Sequence, residues 1–328
     1  MEIRKYTKIE QFRNIIKQVS DTSRFEGLND VGIPIFNDNP LPTITFTGTV
    51  KLHGTNAAVS YDPKTEQFWC GSRSRNITPE KDNAGFAYFA DTNSERLIEI
   101  IKCFNNPNNE IVTLFGEWCG GNIQNGVALD QLEKMFVIFE VKIGDNYQPM
   151  NVLDYKDDRI YSIANFKTFM ISIDFNNPKS YQNELIELTE AVENECPVAK
   201  AFDVSGIGEG IVWTAYYNDQ RFCFKVKGEK HSVTKVKKLV SIDPEKLENI
   251  DKFVEYSVTE NRLNQAIEQV FTVNNIELDI KRTGDFVNWI KNDILSEELD
   301  TLAANQLEPK DVVKLISTAA RNWFMEKL

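Results

Sequence analysis

Thr43-Ile44-Thr45-Phe46-Thr47-Gly48-Thr49-Val50-Lys51-Leu52-His53-Gly54-Thr55-Asn56-Ala57-Ala58-Val59-Ser60-Tyr61 is the stretch on which the fold turns. A β-branched run ends on Lys51, Gly54 follows three residues later, and a second apolar stretch begins at Ala57. Physically this reads as strand, tight turn, strand, with the lysine at the turn. A lysine so placed can project into a cleft, and Gly54 lets backbone approach a bulky ligand. A solvated lysine beside a hairpin turn has the same short K-x-x-G pattern, so the rest of the chain has to decide.

The chain has 328 residues, enough for one large domain and a smaller one. No apolar run approaches the ~20 residues that cross a bilayer. Met1-Glu2-Ile3-Arg4-Lys5-Tyr6 is charged and lacks a signal peptide's apolar core, so a cytoplasmic protein with no membrane partner is expected. Cys70, Cys103, Cys119, Cys196 and Cys223 are scattered, with no C-x-x-C pair, and the histidines are His53 and His231. Reduced, packed thiols and no zinc site are expected. The net charge of −12 counts against sequence-blind nucleic-acid binding through overall charge. The charge is uneven, however. Arg221, Lys225, Lys227, Lys230, Lys235, Lys237 and Lys238 crowd one segment against Glu229, which suits a focused phosphate site or a solvated basic face.

Helical spacing of Phe12, Ile15, Ile16 and Val19 predicts a helix over 7–20, followed by a polar loop over 21–42. Strands are predicted near 43–50, 55–61, 67–71, 111–116, 136–143 and 166–173, with helices near 94–104 and 184–192 and a loop over 144–160. Two more strands, 210–217 and 221–227, flank an Asn218-Asp219-Gln220 turn. Beyond about residue 242 the pattern becomes helical. Leu263, Ile267, Val270 and Phe271 form one stripe; Phe286, Ile290 and Ile294 a second; Val312, Leu315, Ile316, Ala319 and Ala320 a third, after Pro309. Residues 245–328 therefore read as a separate all-helical module.

Five segments stand in a telling order. They are Lys51-Leu52-His53-Gly54-Thr55-Asn56; Ser72-Arg73-Ser74-Arg75; Phe115-Gly116-Glu117-Trp118; Phe136-Val137-Ile138-Phe139-Glu140 with the later Glu209-Gly210-Ile211-Val212; and Phe224-Lys225-Val226-Lys227. Over roughly 43–230 the ordered set resembles the covalent nucleotidyltransferase superfamily of polynucleotide ligases and capping enzymes, and within it the phage-type RNA ligase 2 family. That resemblance implies an α+β nucleotidyltransferase fold, with ATP-grasp-like antiparallel sheets and flanking helices, plus a small all-helical C-terminal domain. It implies an adenylyltransferase domain over 1–242 and an RNA-engaging domain over 243–328. The implied activity is an ATP-dependent RNA ligase, in RNA repair, with ATP and Mg2+ or Mn2+ as cofactors. The implied partner is RNA, as a nicked duplex or as RNA ends, handled by a monomer. A phage or virus origin is compatible with it.

The resemblance assigns each residue a role. Lys51 is the nucleophile toward the α-phosphate of ATP. A free lysine, with pKa about 10.4, is protonated at neutral pH, and neighbouring positive charge from Lys225 and Lys227 favours proton loss. The same two lysines neutralise phosphate oxygens, although Phe224 and Val226 between them fit an ordinary amphipathic strand equally well. Glu117, at the end of its strand, holds the ribose hydroxyls. Phe139 stacks on adenine. Glu209 is the metal-associated carboxylate, one being enough for a hydrated magnesium ion. Arg73 reaches the nucleotide and the RNA terminus, with Arg75 on the same face if the segment is extended. His53 and Asn56 orient AMP and the RNA ends. Family members often carry an acid before the lysine, whereas Val50 stands here. A DNA ligase or a GTP-dependent capping enzyme shares the scaffold, but those usually append an OB-fold barrel, which an all-helical tail is not. A non-catalytic nucleic-acid-binding protein is disfavoured by the intact lysine, both acids and the K-x-K pair.

Overall fold

The computed structural model describes residues 2–121, 123–153, 159–228, 250–274, 276–304 and 307–328. The chain forms two compact units, Met1–Gly228 and Glu229–Leu328. The expected boundary at 242/243 lies outside the described residues, as do His231, Lys230, Lys235, Lys237 and Lys238.

In the first unit the elements are α1 (Phe12–Arg24), β1 (Phe25–Leu28), β2 (Pro34–Phe36), β3 (Thr43–Val50), β4 (Gly54–Asp62), β5 (Gln67–Ser72), β6 (Asn76–Ile77), α2 (Phe86–Thr92), α3 (Ser94–Lys102), β7 (Val112–Cys119), β8 (Met135–Ile143), β9 (Asn146–Pro149), β10 (Ile160–Ser162), β11 (Thr168–Asp174), α4 (Gln182–Asn194), α5 (Pro197–Lys200), β12 (Gly210–Tyr217) and β13 (Gln220–Lys227). Apart from the small β1-β2 hairpin, the strands form two sheets. One has four strands in the order β11-β3-β12-β13. The other has seven, in the order β10-β8-β7-β4-β5-β6 with β9 on β8. The pairing is antiparallel apart from β10 on β8.

The two strands expected on either side of Lys51 form, but they do not pair with each other across a tight turn. β3 lies in the four-stranded sheet and β4 in the seven-stranded one, so Lys51-Leu52-His53 carries the chain from one sheet to the other. The apolar pattern explains why. Ile44, Phe46 and Val50 of β3 share a core with Trp213, Phe224 and the α1 residues Ile15 and Val19. Ala57, Val59 and Tyr61 of β4 join a different core with Phe86 and Phe89 of α2 and Leu97 and Ile101 of α3. Two helix-covered cores thus draw the two strands apart.

By alternation the charged residues fall on the opposite face of each sheet. On the four-stranded sheet that face carries Lys225, paired with Val212, and Lys227, paired with Gly210. On the seven-stranded sheet it carries Asn56, paired directly with Glu117. The faces meet where Glu140 of β8 accepts hydrogen bonds from Tyr216 of β12 and Arg221 of β13, and the space between them is a cleft.

Several boundaries differ from expectation, for physical reasons. The first helix begins at Phe12 because Glu10 pairs with β13: its N–H donates to the Cys223 carbonyl, and its carbonyl accepts from the Lys225 N–H. The 21–42 loop contains the β1-β2 hairpin, and the 144–160 loop contains β9 and the start of β10. β7 continues three residues past Gly116, so Glu117 sits within the strand and not at its end.

The second unit contains α6 (Ile250–Ser257), α7 (Glu260–Ile267), α8 (Thr283–Glu297), α9 (Leu299–Ala304) and α10 (Pro309–Lys327). Phe286, Ile290 and Ile294 of α8 pack with Val312, Ile316, Ala320 and Phe324 of α10. Leu315 instead points to solvent, because the buried stripe of α10 advances four residues at a time. Among the described residues, no helix is long and apolar enough to cross a membrane.

Candidate active site

The sheet-to-sheet connector brings Lys51 to the cleft. Its backbone N–H donates to the Gly210 carbonyl, which ties the connector to the first residue of β12. Glu209, one position earlier, has a buried carboxylate. Lys51 Nζ donates to Glu209 Oε2 at 2.7 Å, and His53 Nδ1 lies 3.1 Å from the same oxygen. Lys227 Nζ lies 3.1 Å from Oε1. The Gly228 N–H donates to the Glu209 carbonyl, which fixes the end of β13 beside the carboxylate.

A second carboxylate stands close by. Glu117 is half-buried, and its Oε1 accepts the Gly54 N–H at 3.1 Å. Its partner across the strands, Asn56, shares its face. Gly54 serves protein packing, and the close approach expected of a ligand is made by β7. A Cβ there would lie 2.3 Å from the Trp118 carbonyl oxygen and 2.7 Å from the Cys119 Cβ.

The charges act on one another. Burial pushes the Glu209 carboxyl up, but Lys51, Lys227 and His53 outweigh it and hold the group well below the usual carboxylate range. Burial raises Glu117 to about 7, with the charge of Glu209 adding to the rise and Lys51 and His53 opposing it. Burial also lowers Lys227; Glu209 opposes that fall, while Lys51 and Lys225 add to it. Two ammonium groups therefore share one carboxylate. The repulsion between them adds to the fall of Lys227.

The structure thus gathers Lys51, His53, Glu117, Glu209 and Lys227, with Asn56 opposite Glu117. Lys225 is on the Lys227 face of β13, two residues away. Phe139 lies on β8, where its ring contact is with Tyr6, at 5.1 Å between centroids. Arg73 is exposed, just past the end of β5. Arg75 does not share a face with it in an extended segment, because the chain bends over 73–75. The Arg75 guanidinium instead donates to the carbonyls of Lys81 and Asp82, at 2.8 and 3.0 Å, and closes that loop.

The basic strip divides in the same way. Arg221 is not offered to phosphates: its Nε and Nη2 donate to the two oxygens of buried Glu140 at 2.5 and 2.6 Å. Glu140, Arg221, Tyr216 and Tyr6 are absent from the sequence-derived set of site residues. The available signal was a carboxylate inside the apolar strand Phe136-Val137-Ile138-Phe139-Glu140-Val141, a position that requires a buried partner. A separate cavity of about 390 Å³, lined by Lys167, Phe169, Val192, Pro197 and Lys200 among others, includes none of the cleft residues.

A lysine, an acid and a second lysine thus stand together between the two sheets. The family model of RNA ligases matches residues 44–227, more than half of the chain, and the chain belongs to that family. The curated proteins contain no sequence match. Among solved structures it is similar to Naegleria gruberi RNA ligase with PPi, at 18% identity and a TM-score of 0.43, covering 69% of this chain and 56% of that one. Variants of the same ligase with ATP and Mn, and with AMP and Mn, match at the same identity, coverage and TM-score. The chain therefore spans little more than half the length of the solved ligase it matches.

Proposed function

We propose that the chain is an ATP-dependent RNA ligase of the phage-type RNA ligase 2 branch, working as a monomer on a nicked duplex or RNA ends. In this reading it joins a 3′-hydroxyl to a 5′-phosphate through a lysine-AMP and then an RNA-adenylate. The observation that carries it is the shared salt bridge of Lys51 and Lys227 with Glu209. Lys51, once deprotonated, attacks the α-phosphorus of ATP. The N–P bond forms, the bond to the bridging oxygen breaks, and pyrophosphate leaves. An oxygen of the RNA 5′-phosphate then attacks the same phosphorus and releases the lysine, which regains a proton. The 3′-hydroxyl finally attacks the 5′-phosphate and AMP departs. Lys225 and Lys227 neutralise phosphate charge as it develops. Glu117 and Asn56 face the ribose, Phe139 the adenine, and Arg73 and His53 the nucleotide and RNA ends.

Among the described residues, no group of three His, Cys, Asp or Glu side chains is placed to hold a metal ion. A hydrated Mg2+ or Mn2+ needs few protein ligands, and Glu209 is a buried carboxylate beside the lysines. It fits as a single donor, on an oxygen now held by an ammonium group. When bound, the ion supplies further neutralisation of phosphate charge.

The test is covalent labelling. With ATP labelled at the α-phosphate and a divalent ion present, the protein should acquire label, and Lys51→Ala should not. Label retained by that variant would place the nucleophile elsewhere. Label from GTP in preference to ATP would favour a capping enzyme. Sealing of nicked DNA over nicked RNA would favour a DNA ligase, and no adduct with any nucleotide would favour a non-catalytic binder.

A further inference from the structure

We infer that Tyr6, in the segment that precedes the first helix, is a positioning residue for the nucleotide base, which it serves by bracing Phe139; this rests on the ATP reading above. Residues 4–10 run from one wall of the cleft to the other. On the seven-stranded sheet, the Arg4 guanidinium donates to the Gly144 carbonyl, the Tyr6 hydroxyl to Glu140 Oε2 at 2.6 Å, and the Thr7 N–H to the Tyr147 hydroxyl at 3.2 Å. On the four-stranded sheet, Arg221 donates to the hydroxyls of Tyr6 and Thr7. Glu10 then forms its pair of backbone hydrogen bonds with Cys223 and Lys225. One short strap thus touches β8, β9 and the strand that carries Lys225 and Lys227.

The Tyr6 ring occupies the middle of this span. Its centroid is 5.1 Å from Phe139, edge-on, 5.2 Å from Phe115 and 5.8 Å from Tyr147. The Arg221 guanidinium lies over it at 5.2 Å. Phe139 sits at a bulge, packed in part against the first core. Phe115 pairs with Glu140 and Gly116 with Ile138, which leaves Phe139 without a partner of its own and turns Glu140 toward the other sheet. A stacking ring contributes most when its plane is set before the ligand arrives. The strand pairing does not set the plane of Phe139; Tyr6 stands against it, with its hydroxyl anchored on a carboxylate that Arg221 and Tyr216 also hold.

The test uses the full chain and initial rates of self-labelling over a range of ATP concentrations. Tyr6→Ala should raise KM for ATP about tenfold and leave the rate at saturating ATP within about threefold of wild type. Tyr6→Phe, which keeps the ring, should return KM to within about twofold. Tyr6→Ala combined with Phe139→Leu should cost no more than Phe139→Leu alone, since Tyr6 acts through that ring. If Tyr6→Ala is insoluble, Tyr6→Leu replaces it in the same comparison. An unmoved KM, a fall confined to the saturated rate, or additive costs in the double variant would overturn the inference and leave the strap a structural tie. Absence of label from ATP in the wild-type chain would remove the function reading and this inference together, whereas label with an unmoved KM removes the inference alone.

Discussion

Lys51 and Lys227 hold opposite oxygens of one carboxylate, with Nζ to Glu209 distances of 2.7 and 3.1 Å. They come from connector and strand end, 176 positions apart in sequence, and Glu209 is the point at which they meet. Removing either lysine leaves that carboxylate with a different set of neighbours.

For Lys227→Ala, Glu209 keeps Lys51 and His53. The stability cost should therefore fall short of the ~3–5 kcal/mol typical of a buried pair stripped of its partner. The melting temperature should stay within about 5 °C of wild type, while self-labelling slows about a hundredfold. Melting by circular dichroism beside labelling rates checks both halves. A large loss of stability with normal turnover per folded molecule would return Lys227 to the outer face of an ordinary strand.

Glu117 should leave a mark on stability against pH. Its folded pKa is raised to about 7, above an ordinary carboxyl near 4.5. The folded chain thus holds this proton more tightly than the unfolded chain. The contribution is fully present below about pH 4.5 and is lost as pH rises through about 7. Allowing for its partial exposure, the loss should be on the order of 1 kcal/mol, or a few degrees in Tm. Glu117→Gln should flatten that part of the profile, measured by thermal melting between pH 5 and 8. An unchanged slope in the variant would assign the pH dependence to another group.

Gly54→Ala should destabilise the first unit by about 3 kcal/mol or more, because overpacking here presses on backbone that cannot yield as a flexible side chain does. The urea midpoint reads this directly. If the variant were as stable as wild type, the close pairing of Gly54 with Cys119 would be wrong.

A chain ending near residue 242 should still label itself with AMP, since every nucleotide residue named above precedes 228. It should fail to seal a nicked RNA duplex if 243–328 engages RNA. From residue 245 onward there are about ten Lys and Arg against sixteen Asp and Glu, so that contact would use a few placed groups such as Lys281 and Arg282. A folded far-UV spectrum and sealing by the full chain in the same salt are the controls. Sealing by the truncated chain at full rate would give the helical unit another purpose.

What was legible in the sequence was what short-range pattern controls. The strand run before Lys51, the β12-β13 hairpin and the stripes on α7, α8 and α10 follow from alternation or helical spacing. Motif order brought Lys51, Glu117, Glu209 and Lys227 into one list, and the fold places them around one cleft. Pattern could not show that β3 and β4 part company, because both are apolar strands and the choice of core depends on residues from about 25 to more than 150 positions away. Nor could it separate Arg221 from Lys225 and Lys227. All three are basic residues on one face of β13, and a distant carboxylate claims the first. Arg75 would share the Arg73 face only in extended chain, and a bend over 73–75 takes its place.

The connector at Lys51-Leu52-His53 also limits how the cleft can breathe. From Val50 to Gly54 the fully extended chain spans about 14 Å at most, and at that end covalent bonds forbid any wider gap. The end at Tyr6 and Glu140 is closed by hydrogen bonds and ring contacts alone. Residues 163–167 form a second covalent link, from β10 of the seven-stranded sheet to β11 of the four-stranded one, so the sheets are tied at two places and cannot swing apart about the lysine alone.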